Sequence, residues 1–334
     1  MPLGFQITEA DTGKPVFQHK YNAKDRLVVI DMPVPTMGDT IAWFTYCETF
    51  RQRHGCKLAV CMPDHTRALF EPVYPDIRFI SREEKKSLSP YAHYRLGVFL
   101  NDETGICAPV DYHFCPLHHY AGYFLGIDPF AHDEPPKISF DPDKREIAEP
   151  YVVIATQASG MCKRWIYPNG WYKVVKFLKE NGYRVIDIDG APVQGGGIHW
   201  NYIPANAEDF TGPKPLSERA ELISHADFFV GLPSGLSWIA WCCHKPVVLI
   251  SGFSGDNAEF YTRYRVINRN VCHGCYSDPR CIFENHKQDW CPRHCGTDRH
   301  YECQHGITPG MVEAIIRCVP EFQEHIKDRK DKGL

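Results

Sequence analysis

The chain has 334 residues, with 37 Lys and Arg against 41 Asp and Glu, and a formal net charge of −4. This balance lacks the basic footprint of a nucleic-acid-binding protein, so we expect no nucleic-acid partner. An apolar share of 43% can bury a sizeable core, which excludes a disordered chain. The sequence has neither a secretory signal nor an apolar run near the roughly 18 residues of a membrane helix, so we expect a cytoplasmic protein without a transmembrane segment.

The first recognisable unit is a strand–helix–strand pattern. Leu27 to Ile30 is an apolar, β-branched run typical of a buried strand. A turn, "PTMGDT", follows, in which Asp39 and Thr40 are both candidate N-caps. The next stretch predicts one helix that ends at Gly55, and "KLAVCM" predicts a second strand. This βαβ unit favours a parallel α/β lobe, which we assign to residues 27–130.

The middle of the chain contains a helix and a linker. "CPLHHYAGYFLGID" has helical spacing and ends at Gly126. Its histidines, His118 and His119, favour a solvent-facing or capped pair, and a substrate contact is the alternative. The stretch that follows is acidic and holds five prolines, so we interpret residues 131–150 as a linker.

A second α/β lobe is predicted over residues 151–270. "YVVIATQ" and "YRVIDID" predict strands on either side of a helix in "YPNGWYKVVKFLKENG". "DFFVGLPSGLSWIAWCCHKPVVLI" reads as strand, turn, helix and strand. Ligands of such sheets bind outside the carboxyl ends of the strands. Residues 1–26 fit neither lobe and are interpreted as a short appended β-rich segment.

Two loops of the second lobe are candidates for anion binding. In "GLPSGLSW", a glycine-rich turn opens a helix whose amides favour an anion, although an ordinary tight turn explains it equally well. In "TQASGMCKRW", Lys163 and Arg164 follow a strand closely, and the alternative is a solvated basic loop. Trp165 and Trp171 are interpreted as packing residues.

The segment from residue 271 to residue 303 holds six of the fifteen cysteines. In a reducing compartment such a cluster indicates metal binding or free thiols in place of disulfides. Cys272 and Cys275 have the spacing that lets two thiolates reach one ion. Four thiolates suit zinc or iron, and chemistry alone favours zinc. The segment is poor in apolar residues, so we expect it to have no core of its own. Spacing leaves open the second pair of ligands, which is to be found among Cys281, Cys291, Cys295 and Cys303.

Three stretches together carry a resemblance: "YVVIATQASGMCKRWIYPNGWYKVVKFLKENGYRVIDID", "GLPSGLSWIAWCCHKPVVLISGF" and "NVCHGC…DWCPRHC…YEC". Over residues 27 to 315 the chain resembles the bacterial autotransporter heptosyltransferase family. The resemblance implies a GT-B-like fold, in which two Rossmann-like lobes face a cleft. It also implies a small cysteine-rich metal finger over residues 271–305, followed by a C-terminal helix and tail over 306–334.

The family resemblance also implies an activity. The expected reaction moves heptose from ADP-heptose onto serine hydroxyls of an autotransporter adhesin, with inversion and without nicotinamide or flavin. The family is known for iron (Fe3+) in its cysteine site and for large symmetric assemblies, so we expect an iron-containing homo-oligomer, with zinc as the alternative metal. Members can carry a longer N-terminal β-rich domain than the short segment that precedes Leu27 here.

Residue roles follow from the matched motifs. The "GDT" match makes Asp39 the general base, for which helix capping is the ordinary alternative. Lys163 matches the diphosphate-binding lysine and serves as the second catalytic residue. The predicted donor-binding residues are Thr156, Gln157, Lys163, Arg164, Ser234, Gly235 and Leu236. The predicted metal ligands are Cys272, Cys275, Cys291 and Cys303.

This ligand set makes the metal structural, because four protein ligands leave no open position. Cys281 and Cys295 are then accessory thiols. Two other functions stay open. One is a non-catalytic, iron-dependent adaptor of an autotransporter. The other is a lipopolysaccharide-core heptosyltransferase, which shares the lobes but does not require the thiol finger.

Overall fold

Two parallel β-sheets covered by helices form the body of the protein. The structure is a computed structural model that describes residues 4–100, 102, 106–130, 133–196, 199–287 and 289–333. The predicted pair of α/β lobes is confirmed. Among the helices within the described residues, none is both long and apolar enough to cross a membrane.

An antiparallel hairpin precedes the first lobe. It consists of β1 (Gly4–Thr8) and β2 (Pro15–Lys20). The side chains of both strands are exposed for almost their whole length, including Phe5 and Phe17.

The first lobe is built on a four-stranded parallel sheet in the order β5-β4-β3-β6. Its central strand reads "LVVID" and is buried on both faces, which explains the continuous apolar run. The strands are β3 (Leu27–Asp31), β4 (Lys57–Cys61), β5 (Arg78–Ile80) and β6 (Ala92–Arg95). The helices are α1 (Met37–Phe44), α2 (Cys47–His54), α3 (Asp64–Phe70), α4 (Arg82–Ser87) and α5 (Leu117–Leu125).

The start of the first helix differs from the prediction. The helix begins at Met37, so Thr36 occupies the N-cap position and Asp39 lies inside the first turn. The interpretation of Asp39 or Thr40 as N-cap is therefore wrong. The Thr40 hydroxyl instead donates to the backbone carbonyl of Thr36 at 3.1 Å, and it lies 3.0 Å from the backbone carbonyl oxygen of Met37. The single predicted helix is also divided, since α1 and α2 are separate helices.

The second lobe is built on a six-stranded parallel sheet in the order β11-β8-β7-β12-β13-β14. A two-stranded antiparallel hairpin of β9 and β10 follows β8. The strands are β7 (Tyr151–Ala155), β8 (Arg184–Asp187), β9 (Val193–Gly196), β10 (His199–Tyr202), β11 (Glu208–Asp209), β12 (Phe229–Gly231), β13 (Val247–Ile250) and β14 (Arg265–Val266). The helices are α6 (Gly170–Glu180), α7 (Leu216–His225) and α8 (Gly235–Cys242).

The cysteine-rich segment and the C-terminal helices complete the second lobe. Most of the segment is irregular, with a 3-10 turn over Cys275–Ser277. The helices that follow are α9 (Glu302–His305), α10 (Pro309–Ile316) and α11 (Pro320–Asp331).

The cysteine-rich segment does have a small apolar centre, so the expectation that it has none is wrong in part. Trp290 and Phe283 pack their rings against Phe253, which belongs to the loop after β13. Cys275, Cys281 and Tyr301 are buried in the same cluster. The segment therefore shares its core with the second lobe.

Gly252 lies where the finger approaches the sheet most closely. A Cβ here would lie 2.7 Å from the carbonyl carbon of Cys303, which is too close for any carbon contact. We predict that Gly252→Ala lowers the free energy of unfolding by about 1–3 kcal/mol, because the backbone must move. Urea unfolding measures this. The matched control is Gly190→Ala, whose Cβ would have no described heavy atom within 4 Å; equal stability of the two variants would contradict the prediction.

Candidate active site

Asp39 reaches the cleft from the first lobe. It lies in the first turn of α1, and this helix follows β3 at the carboxyl edge of the sheet. The side chain is half-buried, and no described residue donates a hydrogen bond to its carboxylate. An unpaired carboxylate in such a place is free to accept a proton from a ligand.

Lys163 comes from the second lobe. It ends a 3-10 turn over Met161–Lys163, which follows β7. Its ammonium lies 5.7 Å from the ring centroid of Phe253, and no carboxylate of a described residue lies within ion-pair distance. The cation is therefore available to a bound anion.

Tyr276 is linked to both of these residues, to Lys163 through the Phe253 ring and to Asp39 through its charge. Its ring centroid lies 5.0 Å from that of Phe253, the ring beneath Lys163. Burial, and after it the negative charge of Asp39, raise the pKa of Tyr276 well above its ordinary value. The structure thus brings both predicted catalytic residues to one aromatic pair. Tyr276 carries no recognisable motif, and the sequence analysis missed it.

The turn that opens α8 meets the start of α1. Gly235 is required there, since a Cβ would lie 2.5 Å from the Met37 side chain. The Ser234 amide donates to the Leu232 carbonyl at 2.7 Å, so this predicted anion donor is already engaged. The amides of Gly235 and Leu236 belong to the first turn of α8, where the helix supplies no acceptor.

The Ser234 hydroxyl, in contrast, is buried without a partner among the described residues. Because two helix N-termini converge here, the local potential favours an anion. An orphaned hydroxyl beside converging N-termini fits a diphosphate.

Thr156 and Gln157 are held by a residue that the sequence analysis missed. Both Thr156 donors bind the Asp189 carboxylate, the amide at 2.7 Å and the hydroxyl at 2.9 Å. The Gln157 amide donates to the same carboxylate at 3.2 Å, and its side-chain amide donates to the Ala191 carbonyl at 2.6 Å. Donor binding by Thr156 and Gln157 stays a prediction, but these hydrogen-bond donors are engaged.

Asp187 and Asp189 are both buried, at the end of β8 and just beyond it. The Asp189 amide donates to one Asp187 oxygen at 3.0 Å, and the other oxygen is buried without a partner among the described residues. Burial, and then the charge of Asp189, raise the pKa of Asp187 far above its ordinary value. The surroundings of Asp187 therefore favour its neutral form. The "DID" at the end of a predicted strand was the available signal.

Arg164 is buried and lacks an ionic partner among the described residues. Its Nη2 donates to the Gln194 side chain at 3.1 Å, and Nη1 has no described partner. Burial lowers the pKa of this guanidinium. Arg164 lines a cavity of about 680 Å³ that neither Lys163 nor Ser234 lines.

Trp165 and Trp171, two further residues of this cavity, pack edge to face with ring centroids 5.2 Å apart. Both side chains are buried. Both residues therefore pack as expected, and a contact of either ring with an acceptor in this cavity stays the alternative.

His118 and His119 are buried, so the interpretation of the pair as solvent-facing is wrong. Both Nε2 atoms point at one oxygen of Asp133, at 2.5 Å and 2.8 Å. His118, His119 and Asp133 form a group whose potential metal-ligand atoms all lie within 4.8 Å of one another. Within the described residues, no other group of three His, Cys, Asp or Glu side chains does so. Both Nδ1 atoms are buried without a described partner, whereas a metal-bound imidazole usually donates from its other nitrogen. The arrangement is a hydrogen-bonded triad.

The four predicted metal ligands lie in one cluster. Burial raises the pKa of Cys303 to about 12, and the neighbouring Cys291 and Cys272 contribute. Burial likewise raises the pKa of Cys275, near which Cys272 and Cys303 also lie. Thiols gathered in this way ionise only beside a cation, and sulfur donors suit zinc or iron.

The thiols are clustered but are not at coordination distances, since no three described cysteines lie within 4.8 Å of one another. Arg293 places a guanidinium nitrogen 3.7 Å from the Cys272 sulfur. Of the two predicted accessory thiols, Cys281 is buried and Cys295 is exposed. Cys162, which the sequence analysis did not single out, also lies near Cys291.

Comparisons with known proteins agree with this geometry. Residues 118–281 match glycosyltransferase family 9 (heptosyltransferase). Autotransporter heptosyltransferase Aah of Escherichia coli is 46% identical over 309 residues, which cover 92% of this chain and 78% of Aah. The chain belongs to the autotransporter heptosyltransferase family. It is therefore a glycosyltransferase, and the resemblance found in the sequence is confirmed.

Solved structures of one family member confirm the GT-B-like fold. The iron-containing dodecameric glycosyltransferase TibC from enterotoxigenic E. coli matches with a TM-score of 0.88 and 44% identity, over 94% of this chain and 81% of that chain. TibC in complex with ADP-D-β-D-heptose matches with a TM-score of 0.87 and 42% identity, over 96% and 82%. The family also includes the inactive autotransporter heptosyltransferase BimC of Burkholderia thailandensis, 38% identical over 315 residues, which cover 94% of this chain and 74% of BimC.

We predict a pH-dependent stabilisation by Asp187→Asn. In the wild type, Asp187 is neutral when folded but ionises in the unfolded chain above its ordinary pKa of 3.8. Its contribution to stability is therefore full below that pH and is lost as the pH rises toward the raised pKa, by at most about 1.4 kcal/mol per pH unit. Asn stays neutral and can still accept from the Asp189 amide, so the variant should lose less stability between pH 5 and pH 8.

Urea unfolding across this pH range measures the effect. Asp143→Asn, at an exposed position in the linker, is the control. A pH profile of Asp187→Asn that parallels the wild type would contradict the assignment of a protonated Asp187.

Proposed function

We propose that this protein transfers heptose from ADP-heptose onto serine hydroxyls of an autotransporter adhesin, with inversion at the anomeric carbon. The observation that carries the proposal is that each lobe offers one charged side chain without an ionic partner among the described residues. The first lobe offers an unpaired carboxylate, Asp39, and the second offers an ammonium, Lys163, without an ion-pair partner among the described residues. Family membership supplies the sugar, since Aah and TibC are named as autotransporter heptosyltransferases.

In the proposed reaction, Asp39 accepts the proton of the serine hydroxyl as its oxygen attacks the anomeric carbon. One bond forms between that oxygen and the sugar, while the bond from the anomeric carbon to the diphosphate breaks on the opposite face. ADP leaves with the electron pair, and Lys163 stabilises the charge that builds on it. A single displacement inverts the configuration.

The donor diphosphate is proposed to lie where the N-termini of α1 and α8 converge. The orphaned Ser234 hydroxyl and the free amides of Gly235 and Leu236 would bind its oxygens. Arg164 retains an unpartnered guanidinium nitrogen for an anionic or polar group of the same donor.

Cys272, Cys275, Cys291 and Cys303 are proposed to hold one structural iron, with zinc as the alternative. TibC contains iron, and the clustered thiols supply the soft donors that either metal prefers. The four sulfur atoms would have to move closer to one another to coordinate a single ion. When bound, the metal neutralises the thiolates and cross-links the finger.

We further propose a cytoplasmic homo-oligomer. All fifteen cysteines are free thiols, as expected in a reducing compartment. Because TibC is dodecameric, a large symmetric assembly is the expected form.

One alternative function has specific support. BimC shares 38% identity with this chain and is named as inactive. A non-catalytic, iron-dependent adaptor is therefore the second candidate. The lipopolysaccharide-core alternative lacks comparable support, because it gives no reason for the thiol finger.

We predict that Asp39→Asn removes activity but preserves the fold. Asp39 is not the N-cap of α1, so the substitution changes little besides the charge. Loss of a general base should slow transfer by roughly 100-fold or more, whereas ADP affinity should persist because the anion site lies at other residues. The intact mass of an adhesin passenger incubated with ADP-heptose measures transfer, and calorimetry measures ADP binding.

Asp64→Asn is the matched control, since Asp64 lies in the first turn of α3 and is exposed. It should transfer heptose at the wild-type rate. An active Asp39→Asn enzyme would show that Asp39 is not the base, and a wild-type protein that transfers no sugar would favour the adaptor.

We predict that each of Cys272→Ser, Cys275→Ser, Cys291→Ser and Cys303→Ser loses the metal together with stability. The reason is that metal binding contributes free energy of folding at such a site. Inductively coupled plasma mass spectrometry of the purified wild-type protein should detect about one metal ion per chain. Cys295→Ser, at an exposed position, is the control and should keep the metal. Metal retained after Cys303→Ser but lost after Cys295→Ser would disprove the ligand set.

A further inference from the structure

The metal finger, residues 271–305, is fastened to the second lobe by backbone hydrogen bonds. The Gly274 amide donates to the Gly252 carbonyl at 2.9 Å, and the Tyr276 amide donates to the Phe253 carbonyl at 3.1 Å. In return, the Gly255 amide donates to the Ser277 hydroxyl at 3.0 Å. The 3-10 turn Cys275–Ser277 is therefore fixed to the loop after β13.

The same finger also contacts the first lobe. The Phe283 amide donates to the Tyr112 hydroxyl at 3.1 Å. His113 places its Nε2 3.3 Å from the Cys281 carbonyl oxygen. Both residues belong to the 3-10 turn Tyr112–Phe114, which precedes α5. The finger thus bridges the two lobes, and its contacts to the first lobe join residues 168 and 171 positions apart in the sequence.

Tyr276 lies at the centre of this bridge. Its ring centroid is 5.4 Å from that of Tyr112 in the first lobe and 5.0 Å from that of Phe253 in the second. Phe253 in turn lies 5.7 Å from the Lys163 ammonium. Helix α1, which carries Asp39, packs against α8 of the second lobe, and the charge of Asp39 helps to raise the pKa of Tyr276. The residue before Tyr276 is Cys275, a proposed metal ligand.

We infer that the finger is a metal-locked clasp between the lobes, and that Tyr276 is the positioning residue through which the clasp sets Asp39 against the donor site. The inference rests on the proposed function for its catalytic part. Its structural part rests on the contacts alone.

The physical reason is the division of the site between two lobes. The proposed base is on α1, and the proposed anion site is at α8 and Lys163. A displacement of about 1 Å between reacting groups can cost roughly 100-fold in rate. The Tyr276 ring, packed between Tyr112 and Phe253, resists such a displacement, and the metal keeps its backbone in place.

The first test compares Tyr276→Ala with Tyr276→Phe. Tyr276→Ala should lower kcat by about 10-fold to 100-fold, with metal content unchanged and ADP affinity within about 3-fold, since the anion site lies within the second lobe. Tyr276→Phe keeps the packed ring and should restore kcat. Tyr261→Ala, at a position that is 76% exposed, is the matched control and should behave as wild type.

The second test does not use activity. Hydrogen exchange of the Tyr112–Phe114 amides should accelerate in Tyr276→Ala and after chelation of the metal from the wild-type protein. Exchange in β7, at the centre of the second lobe, should stay unchanged. This pattern would show that the finger stabilises the part of the first lobe that it contacts.

The outcomes separate the two claims. Unchanged exchange at Tyr112–Phe114 in Tyr276→Ala would overturn the clasp, and so would a Tyr276→Ala enzyme with wild-type kcat. Loss of metal and of ADP binding in Tyr276→Ala, unrescued by Phe, would reduce Tyr276 to a folding residue and would also overturn the inference. If the wild type transfers no heptose, the proposed function fails, while accelerated exchange would still support the clasp.

Discussion

The burial of several thiols in one small cluster is the constraint on which the rest of the structure depends. Cys275 is buried and Cys303 is partly buried, and burial is the main cause that raises the pKa of both thiols. A soft cation reverses this penalty, because it stabilises the thiolate form and binds the sulfurs together. The finger is otherwise almost without regular structure and shares its apolar centre with Phe253. The proposed cation would add to the hydrogen bonds and the apolar packing that already join the finger to the loop after β13.

The lobes divide the charges of the site between them. The first lobe supplies the negative charge, at Asp39, and the second supplies the positive charge, at Lys163. The N-termini of α1 and α8 meet where Met37 contacts Gly235, which favours an anion between them. The proposed inverting transfer needs a base and a cation on opposite faces of the sugar, and the two lobes supply one each. The division also explains why the separation of the lobes matters for the chemistry.

The sequence predicted the elements whose signals are local. The runs "LVVI" and "YVVIA" are buried on both faces, and their apolar character needs no knowledge of distant residues. The start of α1 was misplaced, because Thr36 caps without a side-chain hydrogen bond and leaves no distinctive signal. Asp189 and Tyr276 were missed because each acquires its role from residues on other elements, at Thr156 and at Tyr112. Asp133 was missed because it lies in the segment interpreted as a linker. The resemblance named Asp39 and Lys163, but no pattern placed Tyr276 beside them.

The unsatisfied groups of the cleft bear on the choice between enzyme and adaptor. Within the described residues, the Ser234 hydroxyl and one Arg164 nitrogen are buried without a partner, and Lys163 has no ion pair. Each buried polar group without a partner costs about 1–3 kcal/mol of folding free energy. A protein that binds no ligand here would gain nothing in return for this cost. Such costs are tolerated at functional sites, where a ligand supplies the missing partner. An anionic donor at the α8 turn would satisfy the Ser234 hydroxyl and the Lys163 ammonium. An adaptor that binds only a protein surface would satisfy none of them, and so the cleft is better explained by a sugar-nucleotide enzyme.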